Sequence, residues 1–285
     1  MRILDGKKIA AEIRAEVAEE IRRERERGAR APGLAVILAG DNPASQIYVR
    51  NKQKACEETG IVSHPFLLPA TAREEEIIGL IRTLNERDDI DGILLQLPLP
   101  EGVDSRACLL AIDPEKDVDG FHPVNMGKLA LGLPCLAPCT PAGVMELLAR
   151  SDLSVKGKKA VIVGRSDIVG KPLAMLLSRK DADATVTICH SGTPDLAKEC
   201  ASADFLFLAM GKPEAITGDM INDGCVVIDV GINRTPEGLR GDAHFASASE
   251  KASAITPVPG GVGPMTIAAL MKNAALAWKR RLGSR

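Results

Sequence analysis

Lys158-Lys159-Ala160-Val161-Ile162-Val163-Gly164-Arg165-Ser166-Asp167-Ile168-Val169-Gly170-Lys171-Pro172 reads as a buried strand, a glycine-bounded turn and the start of a helix. In α/β proteins this order builds a cradle for a dinucleotide pyrophosphate, with backbone N–H groups and the positive end of the helix dipole facing the phosphates. The spacing departs from G-x-G-x-x-G, because Ser166 and Val169 stand at glycine positions. A plain strand–helix connection therefore stays open as a second reading of the same residues. The next segment favours the cofactor. Residues 184–189 read as a second parallel strand, which ends at His190-Ser191. An NAD site normally carries an acid at that strand end to hold the ribose hydroxyls. None stands there, and Arg165 places a fixed positive charge in the turn, so the expected cofactor is NADP.

Working outward, further strands are expected near Ala160, Ala184, Phe205 and Val226, entered through the turn Val155-Lys156-Gly157-Lys158. The first half alternates in the same way. Ile9, Ile13, Val17 and Ile21 make one apolar stripe on a charged helix that stops at Gly28. Residues 33–39, 61–68 and 92–97 are apolar strand candidates. Ser45 is the expected cap of a helix reaching Gly60, and Thr71 with Glu74 the expected capping box of the next one. Thr140-Pro141 opens another helix, and the last runs from about Pro264 to Arg280 and is expected to return to the first domain. Strand–helix alternation means parallel, doubly wound sheets.

A chain of 285 residues with 45% hydrophobic and only 2% aromatic residues has room for two aliphatic-cored α/β domains. The formal charge of −2 gives no footprint for nucleic acid or an anionic membrane. Seven irregularly spaced cysteines suit reduced, packed thiols. No apolar signal core or spanning run is present, so a soluble, cytoplasmic protein is expected.

Tyr48, the only tyrosine, and Lys52 share a helix face that continues into Ala55 and Cys56. A lysine drawn against an apolar wall loses solvation, which lowers its pKa and frees an amine to act as a base. Taken alone, Lys52 reads more readily as a surface lysine beside Arg50 and Lys54. Gln96 shifts that balance. It is the one polar residue in Ile93-Leu94-Leu95-Gln96-Leu97, near the carboxyl end of a parallel strand, where ligands bind in open α/β sheets. A structural amide bonded to a neighbouring loop is an equal alternative. Asp119, before Gly120, is either a turn residue or a carboxylate offered to the N–H groups of a planar ring. Asp113, Asp117 and Asp119 lack the remaining ligands of a calcium loop, and the four histidines have no metal-like spacing, so no metal is assigned. No G-x-S-x-G elbow appears, which speaks against nucleophilic hydrolysis.

Several segments, in order along the chain, resemble the bifunctional methylenetetrahydrofolate dehydrogenase/cyclohydrolase family. They are Asp41 to Val49, Lys52-Gln53-Lys54, Gly92 to Pro100, Lys116-Asp117-Val118-Asp119-Gly120, Pro138-Cys139-Thr140-Pro141, Val163 to Ser166, Gly231-Ile232-Asn233, Gly241-Asp242 and Pro257 to Thr266. The resemblance implies two α/β domains flanking a cleft, the C-terminal one a Rossmann-like NADP-binding domain, and a homodimer. Residues 1–145 with 265–285 would form the folate-binding catalytic domain, and 146–264 the NADP-binding one. Tyr48 would stack on the pterin, Lys52 would be the cyclohydrolase catalyst, Gln96 would tune it, and Asp119 would hold the pterin edge. Gly164, Arg165, Ser166 and Ser191 would line the NADP phosphates, and Ile232 would lie near the nicotinamide half. Pro259, Gly260 and Gly261 would border the substrate. Ala243-His244-Phe245 departs from the valine and acid usual in related sequences.

Overall fold

The structure, a computed structural model, describes residues Met1–Gly283; Ser284 and Arg285, the end of the expected first domain, lie outside the described residues. The chain begins β1 (Arg2–Ile3), α1 (Gly6–Glu26), β2 (Gly33–Ala39), α2 (Pro43–Thr59), β3 (Val62–Leu68), α3 (Glu74–Glu86) and β4 (Gly92–Gln96). Three helices follow: α4 (Ser105–Leu110), α5 (Pro123–Ala130) and α6 (Cys139–Arg150). It continues β5 (Lys159–Val163), α7 (Gly170–Leu177), β6 (Thr185–Cys189), α8 (Leu196–Ala201), β7 (Phe205–Leu208) and β8 (Val226–Asp229). Last come β9 (Asn233–Thr235), β10 (Gly238–Arg240), α9 (Phe245–Lys251), β11 (Ala254–Ile255) and α10 (Val262–Gly283).

The chain forms two compact units, neither of them continuous. One comprises Ala11–Lys128, Leu133–Cys139 and the chain from Ile267 onward; the other comprises Met1–Ala10, Leu129–Gly132 and Thr140–Thr266. Residues 1–10 join the second unit because β1 pairs in parallel with β11, Arg2 opposite Ala254 and Ile3 opposite Ile255. Residues from Thr140 join it through a close backbone approach. A Cβ on Gly143 would lie 2.8 Å from the Met265 carbonyl oxygen, and the Thr140 and Thr266 hydroxyls are 3.0 Å apart.

In the first unit β2 runs between β3 and β4, all parallel. Every residue of β2 is buried, as a central strand covered on both faces must be. Ala35, Ile37 and Ala39 meet Ile77, Ile81 and Leu84 of α3 in one core with Ile93 and Leu95 of β4. The helix starts differ from the sequence expectation. Asn42, not Ser45, caps α2: its Oδ1 accepts the N–H groups of Ala44 and Ser45, with Pro43 opening the first turn. At α3 the reciprocal bond is made two residues later than expected, by Glu76 accepting the Arg73 N–H at 2.8 Å.

Lys116 is fully buried, and its Nζ donates to the carbonyls of Leu84 (3.0 Å), Asn85 (2.6 Å) and Arg87 (2.9 Å). These carbonyls lie at the end of α3, where a helix leaves acceptors unmet and its dipole favours a cation. Burial, with a smaller push from Arg281, lowers the Lys116 pKa to about 8, so the group stays charged at neutral pH.

In the second unit six strands run parallel in the order β1-β11-β8-β7-β5-β6, and β9 and β10 form a separate antiparallel pair. The chain leaves β5 towards β6 on one side and later returns to β7 on the other. That reversal is the topological switch point at which open α/β sheets bind ligands.

Lys116→Met leaves three helix-end carbonyls without their donor and is expected to destabilise the fold by about 2–4 kcal/mol in urea titration. The native Lys116 releases its proton near pH 8, whereas the unfolded lysine holds it to about 10.5. Wild-type stability should therefore gain on that of the variant as pH rises through this window.

Candidate active site and cofactor cradle

On α2 the buried residues Ser45, Val49 and Cys56 form the inward stripe, and half-buried Lys52 lies between Val49 and Cys56. Tyr48 precedes it by one turn and is 38% exposed. Lys52 Nζ donates to Gln96 Oε1 at 3.0 Å. Gln96 ends β4, and its Nε2 donates to the Leu97 carbonyl at 2.7 Å, so the amide orientation is fixed with its oxygen towards the lysine.

Asp119 keeps some surface, yet its carboxyl is packed deeply enough that desolvation raises its pKa above the ordinary carboxylate range. The positive charge of Lys52 works against that rise. The loop carrying it is shaped from within. Asp117 Oδ1 accepts the Gly120 N–H at 3.2 Å, and its Oδ2 accepts the His122 N–H at 2.7 Å and Asn125 Nδ2 at 3.1 Å. Gly120, at φ 76°, leaves no room for a side chain, since a Cβ would lie 2.5 Å from the Ala137 carbonyl carbon. Asn273 of α10 closes the arrangement by donating Nδ2 to the carbonyls of Val118 and Ala137, both at 2.8 Å. Cys139 Sγ donates to the Val118 carbonyl at 3.1 Å, and burial, with Asp119 beside it, holds its thiol well above the usual range. An amine, an amide oxygen and a desolvated carboxyl thus converge, able to move a proton and to bind a ring edge rich in N–H groups.

The second unit carries the cofactor candidates at the carboxyl ends of β5 and β6. Val163 pairs with Cys189, and the Gly164 N–H donates to the Cys189 carbonyl at 2.9 Å. Arg165 and Ser191 therefore stand two residues beyond the ends of adjacent parallel strands, both exposed. Gly164 has φ 133°, and a Cβ there would lie 2.2 Å from the Ala209 carbonyl oxygen, so only glycine brings the turn this close to β7. Ser166 Oγ accepts the N–H groups of Val169 (3.1 Å) and Gly170 (3.4 Å), fixing the start of α7. Exposed Ile232 follows β8, and Pro259, Gly260 and Gly261 lie in the loop between β11 and α10. A narrow glycine turn, an exposed guanidinium and no acid at the end of β6 fit a phosphorylated dinucleotide.

Asn273, Asp117 and Asp242 were given no role in the sequence reading. A lone amide in an alanine- and leucine-rich helix was the available signal for Asn273, and Asp242 was visible only as part of Gly241-Asp242.

Two family models match. One, described as the tetrahydrofolate dehydrogenase/cyclohydrolase catalytic domain, covers residues 4–119. The other, the NAD(P)-binding domain of the same family, covers residues 138–282. A curated relative, the "Bifunctional protein FolD" of Desulfovibrio desulfuricans, is 65% identical over 283 residues, 99% of each chain. Among solved structures, the bifunctional methylenetetrahydrofolate dehydrogenase/cyclohydrolase from Campylobacter jejuni has a TM-score of 0.95 at 48% identity, covering 99% of both chains. The Trypanosoma brucei N5,N10-methylenetetrahydrofolate dehydrogenase-cyclohydrolase, solved with NADP cofactor and inhibitor, has a TM-score of 0.93 at 40% identity, covering 98% of both. With both halves matched and relatives this similar along the full length, the chain belongs to the tetrahydrofolate dehydrogenase/cyclohydrolase family.

Proposed function

We propose that the protein oxidises methylenetetrahydrofolate to methenyltetrahydrofolate with NADP, then hydrolyses the product to 10-formyltetrahydrofolate. The observation that carries this reading is the 3.0 Å hydrogen bond between Lys52 Nζ and Gln96 Oε1, beside the desolvated Asp119 carboxyl. Folate is assigned to the unit built on β2, β3 and β4, and NADP to the unit built on the six-stranded sheet. Homodimerisation and a cytoplasmic setting belong to the same reading. The seven cysteines, six of them buried, suit packed thiols in a reducing compartment. No helix among the described residues is long and apolar enough to cross a membrane.

Oxidation requires alignment above all, because a hydride leaves the methylene carbon while the two ring nitrogens share the resulting positive charge. NADP, when bound, supplies the hydride acceptor. Tyr48 stacks on the pterin and Asp119 takes its N–H edge, so the reacting carbon is held in one pose. Gly164, Arg165, Ser166 and Ser191 hold the cofactor phosphates; Ile232 packs near its nicotinamide half.

Hydrolysis is proton chemistry. Water adds to the methenyl carbon and gives up one proton; the hydroxyl so formed gives up its second as it becomes the formyl C=O, while the bond from that carbon to N5 breaks and N5 takes a proton, leaving the formyl group on N10. One proton is released overall. Lys52 Nζ is the carrier, and Gln96 Oε1 keeps it aimed at the reacting carbon.

Absorbance-monitored oxidation of methylenetetrahydrofolate should proceed with NADP and at least about tenfold more slowly with NAD, measured as kcat/KM. Equal rates with both would remove the argument from Arg165. Lys52→Met should lower methenyltetrahydrofolate hydrolysis by about a hundredfold or more while dehydrogenase activity stays within about tenfold of wild type. A parallel loss of both activities in folded protein would sink the separate role given to Lys52.

A further inference from the structure

Asp242 is wholly buried and faces no cation in its hydrogen-bond shell, only N–H donors. Its Oδ2 accepts the backbone N–H groups of Met210 (2.7 Å) and Gly211 (3.1 Å). Its Oδ1 accepts the Lys212 N–H and the Asn233 side-chain amide, both at 2.9 Å. The three consecutive N–H groups belong to the loop leaving β7, and Asn233 opens β9 at the end of the loop leaving β8. One carboxylate therefore ties together two loops at the carboxyl ends of neighbouring strands.

Both loops border the expected cofactor. The β7 loop begins at Ala209, whose carbonyl oxygen lies so close to Gly164 that a Cβ on that glycine would come within 2.2 Å. The β8 loop carries Ile232 between two anchored residues. Asn233 is bonded to Asp242, and Gly231 packs so tightly on that carboxyl that a Cβ would lie 2.4 Å from it. Asp242 is itself anchored. Asp229 Oδ1 accepts the N–H groups of Asp242 (3.0 Å) and Gly231 (2.9 Å), and its Oδ2 accepts that of Ala243 (2.8 Å).

We propose that Asp242 is a positioning residue for the dinucleotide: its carboxylate sets the Met210–Lys212 backbone and the pose of Ile232, and so determines NADP affinity without acting on the folate-binding unit. This rests on the assignment of NADP to the second unit. An isosteric amide cannot substitute, because its NH2 would turn a donor towards donors that have no other acceptor.

Asp242→Asn and the milder Asn233→Ala test it through three readouts: KM for NADP, KM for methylenetetrahydrofolate, and cyclohydrolase kcat/KM, which requires no dinucleotide. Asp242→Asn is expected to raise the NADP KM about tenfold or more, with the folate KM and cyclohydrolase within about twofold of wild type. Asn233→Ala should move the same parameter in the same direction by a smaller factor, and it decides the matter if Asp242→Asn does not fold. An NADP KM within twofold of wild type in a folded variant overturns the proposal, as does a cyclohydrolase loss that parallels the NADP effect. A wild-type enzyme inactive with NADP would instead overturn the proposed function, so the two failures are distinguishable.

Discussion

Buried carboxylates that accept backbone N–H groups hold this protein in shape. A parallel strand that ends inside a protein leaves loop amides with no ladder partner, and an amide left unpaired there costs about 1–3 kcal/mol. Here aspartates meet that need again and again. Asp91, fully buried, accepts the Gly33 N–H at the start of β2 while Arg30 grips it with two 2.6 Å bonds. Asp117 does the same for Gly120 and His122, Asp229 for Gly231, Asp242 and Ala243, and Asp242 for Met210, Gly211 and Lys212. A charged acceptor with several donors gives each loop one geometry where water would allow many. The cost is visible at Asp229, whose carboxyl burial pushes up to about 6 although three N–H groups pull it down.

The same economy separates holding from reacting. Asp117 and Asp119 are two residues apart, yet the first spends its oxygens on the loop and the second lies in the field of Lys52 with Cys139 bonded to its carboxyl. Lys52 and Lys116 divide in the same way. Lys116 gives its three protons to helix-end carbonyls, whereas half-buried Lys52 is bonded to the Gln96 oxygen.

The strands were legible in the sequence because burial on both faces writes itself as an unbroken apolar run, as in residues 33–39 and 160–163. Lys52 and Gln96 were legible because each is a polar residue out of place in an apolar pattern. Helix starts were less so. Ser45 and Thr71 are good caps by residue type, but Pro43 already opens the first turn of α2 with Asn42 before it, and Glu76 reaches back to Arg73. Least legible were Asp242 and Asn273. Their partners lie more than thirty and more than a hundred and thirty residues away, at Met210 and Ala137, and no local pattern announces such pairings. The first strand was missed for the same reason, since two residues carry no periodicity and their partner is far along the chain.

That strand has a consequence for the order in which the protein is made. Arg2 and Ile3 leave the ribosome long before Ala254 and Ile255, which they pair with. The six-stranded sheet can assemble its strands β5 to β8 during synthesis, yet its far edge must wait for β11. Until then the opening residues are unpaired strand, exposed to capture by other nascent chains. Closing a loop of this length costs only slightly more than closing one half as long, so the delay is a matter of timing and not of final stability.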